Sequence, residues 1–548
     1  MRRVPIYKHP GFEQLSSHYY SELMRRNPIA ATWIGEHAYD SLLPETGAEA
    51  IENEIAFFRE MKDSFEALPE RELSVDERID RNIVLNMAKR ELFMNEDSKR
   101  WRLGKDLAKS LGDAIFILFS RDFAPLSLRV ESIITRLKAA PMFLHAGRSL
   151  FQDVPQFWCE IFLQSCNGLI GLIKTIETSI QGHVPRTLVQ NYQSVSKIAI
   201  DAVQEYSHWF KHAIAPNAHG KWSMGQSAFS ELISLRKFGM TTSEIQQLGE
   251  RTLKSSREKI LGLAKHLSPS GTSEETSLKI SEKSPPNFEK VLEAYRDSVA
   301  RSKSFVETSN FASLPENESL EVIETPKYLE HLIPFAAYCP PEKTLQTQKG
   351  LYLVTRPSEK ERGKRHNFAE IVNTSVHEAY PGHHLHFSSQ NLHPGKMRIF
   401  ADSIELIEGW AHYCEEETKR MGFEASEENL FIQTKDESWR AARVLIDINT
   451  HTGAWNLEKA VDFLMESTGI SKPAATSELK WYSQAPGYPL SYLTGKHLIY
   501  QLREELREQF GSDFSHRDFH DMVLYEGALP VFLAREYYPM LLKESYQK

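Results

Sequence analysis

Residues 376–386 read Val-His-Glu-Ala-Tyr-Pro-Gly-His-His-Leu-His, which puts the carboxylate of Glu378 directly after the imidazole of His377. His383 and His384 follow six and seven positions after His377. Neutral imidazole is a common zinc ligand, and a carboxylate beside the first ligand can reach a metal-bound water. A second cluster, ELIEGWAHYCEEE over 405–417, lies where a third ligand is expected, with Glu408 placed 25 residues after His383. That gap suits a helix, a turn and a second antiparallel helix. Two histidines and one glutamate leave one zinc coordination position open for water, as hydrolytic catalysis requires.

The spacing departs from the common zinc-protease helix, in which two histidines four apart converge on one ion. Here the residue four after His377 is Pro381. A regular helix would separate His377 from His383 by roughly 9–10 Å along its axis, too far for imidazoles that each approach zinc within about 2.1 Å. Pro381-Gly382 supplies a way out, because proline interrupts the helical hydrogen bonds and glycine tolerates conformations closed to other residues. Two residues looped out as a bulge would return His383 to the second ligand position. His383 is therefore the expected second ligand, with His384 as the alternative. Glu405 and His412 flank Glu408 at three and four residues on a similar face and are expected to hold a ligand in place. Tyr380 and Trp410 read as packing residues that shape the site. Arg443, Asp447 and His451 recur every four residues on one helical face; Arg443 could bind a substrate carboxylate and His451 could donate to an oxyanion. Arg356, His366 and Lys496 are lesser candidates for the same cleft.

These residues need a frame, and helical periodicity supplies it. Apolar residues recur at three- and four-residue spacing over 51–68, 75–95, 126–140, 190–212 and 288–308, which predicts a mainly α fold. The best strand signal is GLYLVT over 350–355, with 333–338 as its expected partner, forming a small β-unit at the edge of a substrate cleft. The segment 268–287, rich in Ser, Glu and Pro, suggests a soft boundary between an N-terminal helical region, 1–270, and a metal-binding catalytic region, 285–548. One continuous domain is the alternative.

With 65 basic and 74 acidic residues the net charge is −9, and neither nucleic acid nor an anionic membrane is expected as a partner. The N-terminal arginines are followed by no apolar stretch, so no secretory signal is expected. Four scattered cysteines without CxxC pairing fit a reducing cytoplasm rather than a disulfide framework.

The motifs HEAYPGHH at 377–384 and EGWAHYCE at 408–415 resemble those of the large bacterial family called domain of unknown function 885. Asn27-Pro28, Gly35, Tyr39-Asp40, Leu43-Pro44, Gly225, Phe229, Pro486-Gly487 and Ser491-Tyr492 extend the resemblance over nearly the whole chain. That family in turn resembles the thermostable metallocarboxypeptidases, which implies a large helical shell around a deep active-site cleft. Alignment on Gly382-His383 leaves two residues inserted, matching the bulge. The stretch GYPLSYLTG at 487–495 is similar to a tyrosine-bearing segment of those enzymes. It implies a tyrosine near the metal, Tyr492 ahead of Tyr488, as donor to the tetrahedral oxyanion. His384 and Tyr488 are then expected at the substrate. The resulting expectation is a peptidase or amidase with one zinc per chain, Glu378 as general base, and a peptide or acyl-amino acid as substrate. A homodimer is possible. The alternatives are a di-iron or di-manganese carboxylate oxidoreductase, which would need two Glu-x-x-His pairs and further glutamates, and a non-catalytic helical scaffold stabilised by its metal.

Overall fold

Helix-start residues stand where the periodic segments begin, and they cap the helices that matter for the site. Asn287, Asn367, Ser403 and Ser426 each accept a hydrogen bond from the backbone N–H three residues on, at 2.9, 2.9, 3.3 and 3.2 Å. Such caps are worth about 1 kcal/mol each. The structure, a computed structural model, describes residues 5–326, 333, 335–357, 366–401 and 403–546. Among the described residues the fold is mainly α-helical with one three-stranded sheet.

The elements around the metal motif are helices α1 (Thr242–Leu267), α2 (Phe288–Thr308), α3 (Phe368–Glu378), α4 (His383–Gln390), α5 (Ile404–Arg420), α6 (Glu427–His451), α7 (Lys472–Gln484) and α8 (Ser491–Phe510). The sheet comprises β1 (Glu318–Glu324), β2 (Ala336–Cys339) and β3 (Gln348–Val354), in the order β1-β3-β2. β2 pairs with β3 antiparallel, with Tyr338 opposite Tyr352. The periodicity anticipated that pair; it did not reveal β1, which runs parallel to β3 with Val322 opposite Tyr352. A glutamate falls at every third position of β1 (ESLEVIE), so its apolar signal is only Leu320, Val322 and Ile323.

The described chain separates into two compact units. One comprises Met1–Ile6, Val75–Ile83 and Gly225–Lys548; the other comprises Tyr7–Ser74 and Val84–Met224. The second unit packs around Leu111, Ile133, Leu137, Phe162, Ile173 and Tyr206, the inward residues of its amphipathic helices. The polar segment 268–287 lies inside the first unit rather than at the division. It contains the helix Ser273–Glu282, whose Ile280 packs with Ile260, Ala369 and Phe431. Its composition hid that helix because a single buried aliphatic anchors most of it.

Candidate metal centre

The two histidines meet because the helix between them is broken. α3 ends at Glu378, and α4 begins at His383. Between them, the Gly382 N–H donates to the Val376 carbonyl at 3.0 Å and the Leu385 N–H donates to the Ala379 carbonyl at 3.3 Å. Each of these bonds spans six residues, two more than an α-helical turn. A Cβ built on Gly382 would lie 1.9 Å from the His377 carbonyl oxygen, so no other residue fits that bend. Trp410 donates from Nε1 to the Pro381 carbonyl at 2.9 Å, and the Tyr380 hydroxyl donates to Glu318. The residues expected only to pack thus also tie the loop down by hydrogen bonds.

The third group arrives on α5, which lies against α8 through glycine. A Cβ on Gly495 would meet the Glu405 carbonyl oxygen at 1.8 Å, and one on Gly409 would meet Gly495 at 2.5 Å. This close approach sets Glu408 beside the histidines. Glu408 Oε2 stands 3.8 Å from His377 Nε2 and 3.4 Å from His383 Nε2, and the two imidazole centroids are 4.7 Å apart. Ligand atoms about 2.1 Å from one tetrahedral ion are separated by ~3.4 Å, so the three residues fit a small divalent cation. All three are buried, at 8–9% exposure. Burial disfavours a proton on His383, but Glu408 outweighs it and its pKa stands above the usual imidazole value. Burial raises Glu408, yet the two histidines hold it down at about 2. A cation would take over the role of those protons.

His384 lies outside the trio. It is fully buried, with Nε2 2.7 Å from Glu318 and Nδ1 3.1 Å from the Tyr338 hydroxyl, so it fastens α4 to the sheet. Glu378 is half-buried at the end of α3, and its carboxylate makes no hydrogen bond among the described residues. Of the two tyrosines, Tyr488 is the one that touches the trio: its hydroxyl donates to Glu408 Oε1 at 2.9 Å. The Tyr492 ring lies 6.1 Å from that of Tyr488. Burial, with Glu408 nearby, pushes both hydroxyl pKa values above 10, so both remain donors at neutral pH.

Several expected positions act elsewhere. Glu405 pairs with Arg236 at 2.5 Å. Arg236 also donates to the Gly487 carbonyl and, at 2.9 Å, to Ser491 Oγ. Asp447 accepts from the Gly487 and Leu490 N–H groups, each at 3.1 Å. Both acids therefore hold the turn that presents Tyr488. His451 is fully buried, stacks on Phe229 and bonds the Tyr482 carbonyl at 3.0 Å, the surroundings of a packed histidine. His412 is also fully buried; its Nδ1 stands 3.6 Å from Glu415, not beside Glu408, and burial pushes its pKa down to about 4. Arg443 is bound through Nε to the Tyr482 hydroxyl at 2.7 Å and through Nη2 to Glu478 at 3.2 Å. Lys496 is buried between Glu416 and Glu437, His366 between Tyr295 and the Thr355 carbonyl, and Arg356 pairs with Glu324.

Glu415 is the group that sequence reasoning missed. Its Oε1 lies 2.7 Å from His377 Nδ1 and accepts from Arg440 at 3.0 Å, while Oε2 accepts from Asn373 at 3.1 Å. Such a carboxylate fixes the ring orientation and raises the basicity of a ligating histidine. Its signal was present in the spacing: Glu415 is two helical turns from Glu408, and Asn373 is one turn before His377. Among the described residues a second trio, Asp76, His393 and Glu526, also has its ligand atoms close together, but the Arg398 guanidinium bridges Asp76 and Glu526 and takes the place of a cation. Neither group contains the two Glu-x-x-His pairs of a di-iron centre.

A family profile described as "Bacterial protein of unknown function (DUF885)" matches residues 28–536. A solved structure described as a "putative lipoprotein of unknown function" from Shewanella oneidensis superposes with a TM-score of 0.79 at 19% identity, covering 96% of this chain and 99% of that one. Another, described as a "putative lipoprotein" from Colwellia psychrerythraea, gives a TM-score of 0.83 at 16% identity, covering 98% and 100%. At these identities the likeness shows the fold. No curated protein matches.

Proposed function

The chain belongs to the bacterial family of unknown function DUF885, and from the geometry at the break between α3 and α4 we propose that this member is a zinc-dependent hydrolase of peptide or amide bonds. One observation carries the reading: two imidazole nitrogens and a carboxylate oxygen from three separate helices converge at cation-binding separations, with Glu378 next to the first of them. His377, His383 and Glu408 would hold one zinc ion per chain. When bound, such an ion supplies Lewis acidity, lowering the pKa of a coordinated water and polarising a carbonyl oxygen.

The protein's own groups do the rest. Glu378, with no competing hydrogen bond, takes the proton from water and returns it to the leaving amine. Tyr492 or Tyr488 donates to the developing oxyanion, and burial keeps either hydroxyl protonated for that purpose. Glu415 fixes His377, and the Asp447 and Arg236–Glu405 contacts fix the Tyr488 turn. A purely structural site would need no Glu378, which favours the catalytic reading over a metal-stabilised scaffold.

Small peptides and acyl-amino acids are the proposed substrates, in the manner of the metallocarboxypeptidases. A chelator-controlled screen of dipeptides and tripeptides with blocked and free ends tests this. Zinc-restorable release of amino acids is the expected result, and product identity assigns exo- or endo-cleavage. A zinc-loaded protein inert toward every amide in the set would overturn the reading. We place the protein in the cytoplasm, on the strength of its four free cysteines. No helix of the described chain is long and apolar enough to cross a membrane. Since both similar structures are described as lipoproteins, cell fractionation checks the compartment.

A further inference from the structure

Trp481 is a large apolar side chain left partly exposed, at 37%, and it does not stand alone. Its ring packs edge-on to Tyr488 at 5.2 Å, and Tyr488 in turn touches the metal ligand Glu408 and neighbours Tyr492 at 6.1 Å. Isolated surface aromatics need no explanation, but an aromatic run that starts at a metal ligand and ends in solvent does. The guanidinium of Arg443 stiffens it, lying 4.9 Å from the Tyr492 ring centre and 5.7 Å from that of Trp481. Because Arg443 is already paired with Glu478 at 3.2 Å, the wall presents aromatic faces without a net charge for a substrate to answer. A peptide advances about 3.3–3.6 Å per residue, so a side chain next to the bond held at the metal reaches this wall.

Resting on the hydrolase reading, we propose that Trp481, Tyr488 and Tyr492 form the side-chain subsite, and that it selects substrates with an aromatic residue beside the scissile bond. Aromatic rings gain from stacked and edge-on contacts with such a surface, whereas acidic or basic side chains would leave their solvation for a wall beside which the Arg443 guanidinium is already paired. The expected order is aromatic over aliphatic over charged.

The test compares zinc-loaded full-length protein on acyl-dipeptides that differ only in Phe or Gly at the varied position. The ratio of kcat/KM for Phe over Gly is expected to exceed about tenfold and to collapse toward one in Trp481→Ala, with Trp481→Phe retaining most of it. Binding is read separately by calorimetry on Glu378→Gln, with acetyl-Phe-Gly and acetyl-Gly-Gly as probes, with and without Trp481→Ala. A Phe preference in binding that disappears with Trp481 supports the subsite even if no peptide is cleaved, in which case only the reaction assignment falls. Equal binding of the two probes, or a Phe preference unmoved by Trp481→Ala, overturns it.

Discussion

At the scale of single residues, the decisive distinction is between His383 and His384, adjacent in sequence and differently placed. One points at Glu408; the other is consumed by Glu318 and Tyr338. Glu378→Gln is expected to keep its zinc while losing roughly 10²–10⁴-fold in hydrolysis, which metal analysis and kinetics on the same sample check. Glu415→Gln is expected to weaken zinc affinity by about 10–100-fold through its hold on His377, measurable by competition with a chelator. The ligand pKa shifts give a pH dependence. In the metal-free protein the raised His383 stabilises the fold below its unfolded value, and that stability is lost as pH rises through the raised folded value. The depressed Glu408 contributes above its ordinary carboxylate range and loses that contribution as pH falls toward about 2. Zinc must displace the proton from His383, so the zinc-induced rise in Tm should grow between about pH 5 and about pH 8. A rise that shrank over this interval would contradict the assignment. That His377, His383 and Glu408 come together was legible in the sequence because their combination and spacing are unusual. Glu415 was hidden because an acidic run, 415–417, reads as a solvated face until burial is known.

At the scale of elements, the site depends on two close approaches of backbone. The Pro381-Gly382 insertion was legible as a break in helical register, and its hydrogen bonds show the two-residue excess directly. The pairing of Gly409 with Gly495 was not legible, because nothing in either segment alone says that α5 and α8 meet there. Gly495→Ala is expected to push α5 from α8, lowering stability by about 1–3 kcal/mol and weakening zinc binding, since Glu408 rides on the displaced helix. Denaturant melts in the presence of chelator separate the stability effect from the binding effect. The positions Glu405, Asp447 and His451 were singled out by spacing, Glu405 three residues before Glu408 and the other two in a four-residue series with Arg443. Their partners lie at 236, 487–490 and 482, contacts that periodicity cannot show.

At the scale of the whole molecule, the mainly helical fold was legible from period alone, whereas the division of the chain was not. The stretch Val75–Ile83 belongs to the unit formed mainly by Gly225–Lys548, a discontinuity that no composition shift announces. His377, His383, Glu408, Glu378 and Trp481 all lie in that unit. Zinc present at about 1,000 times its dissociation constant should therefore stabilise that unit by about 4 kcal/mol. The most direct test of the account is zinc titration of the chelator-stripped protein by calorimetry, run beside His383→Ala and His384→Ala. One ion per chain is predicted for the wild type, with tight binding lost in His383→Ala and retained in His384→Ala. Wild-type protein that takes up no zinc, or a His383→Ala variant that binds it as tightly as the wild type, would contradict the claim.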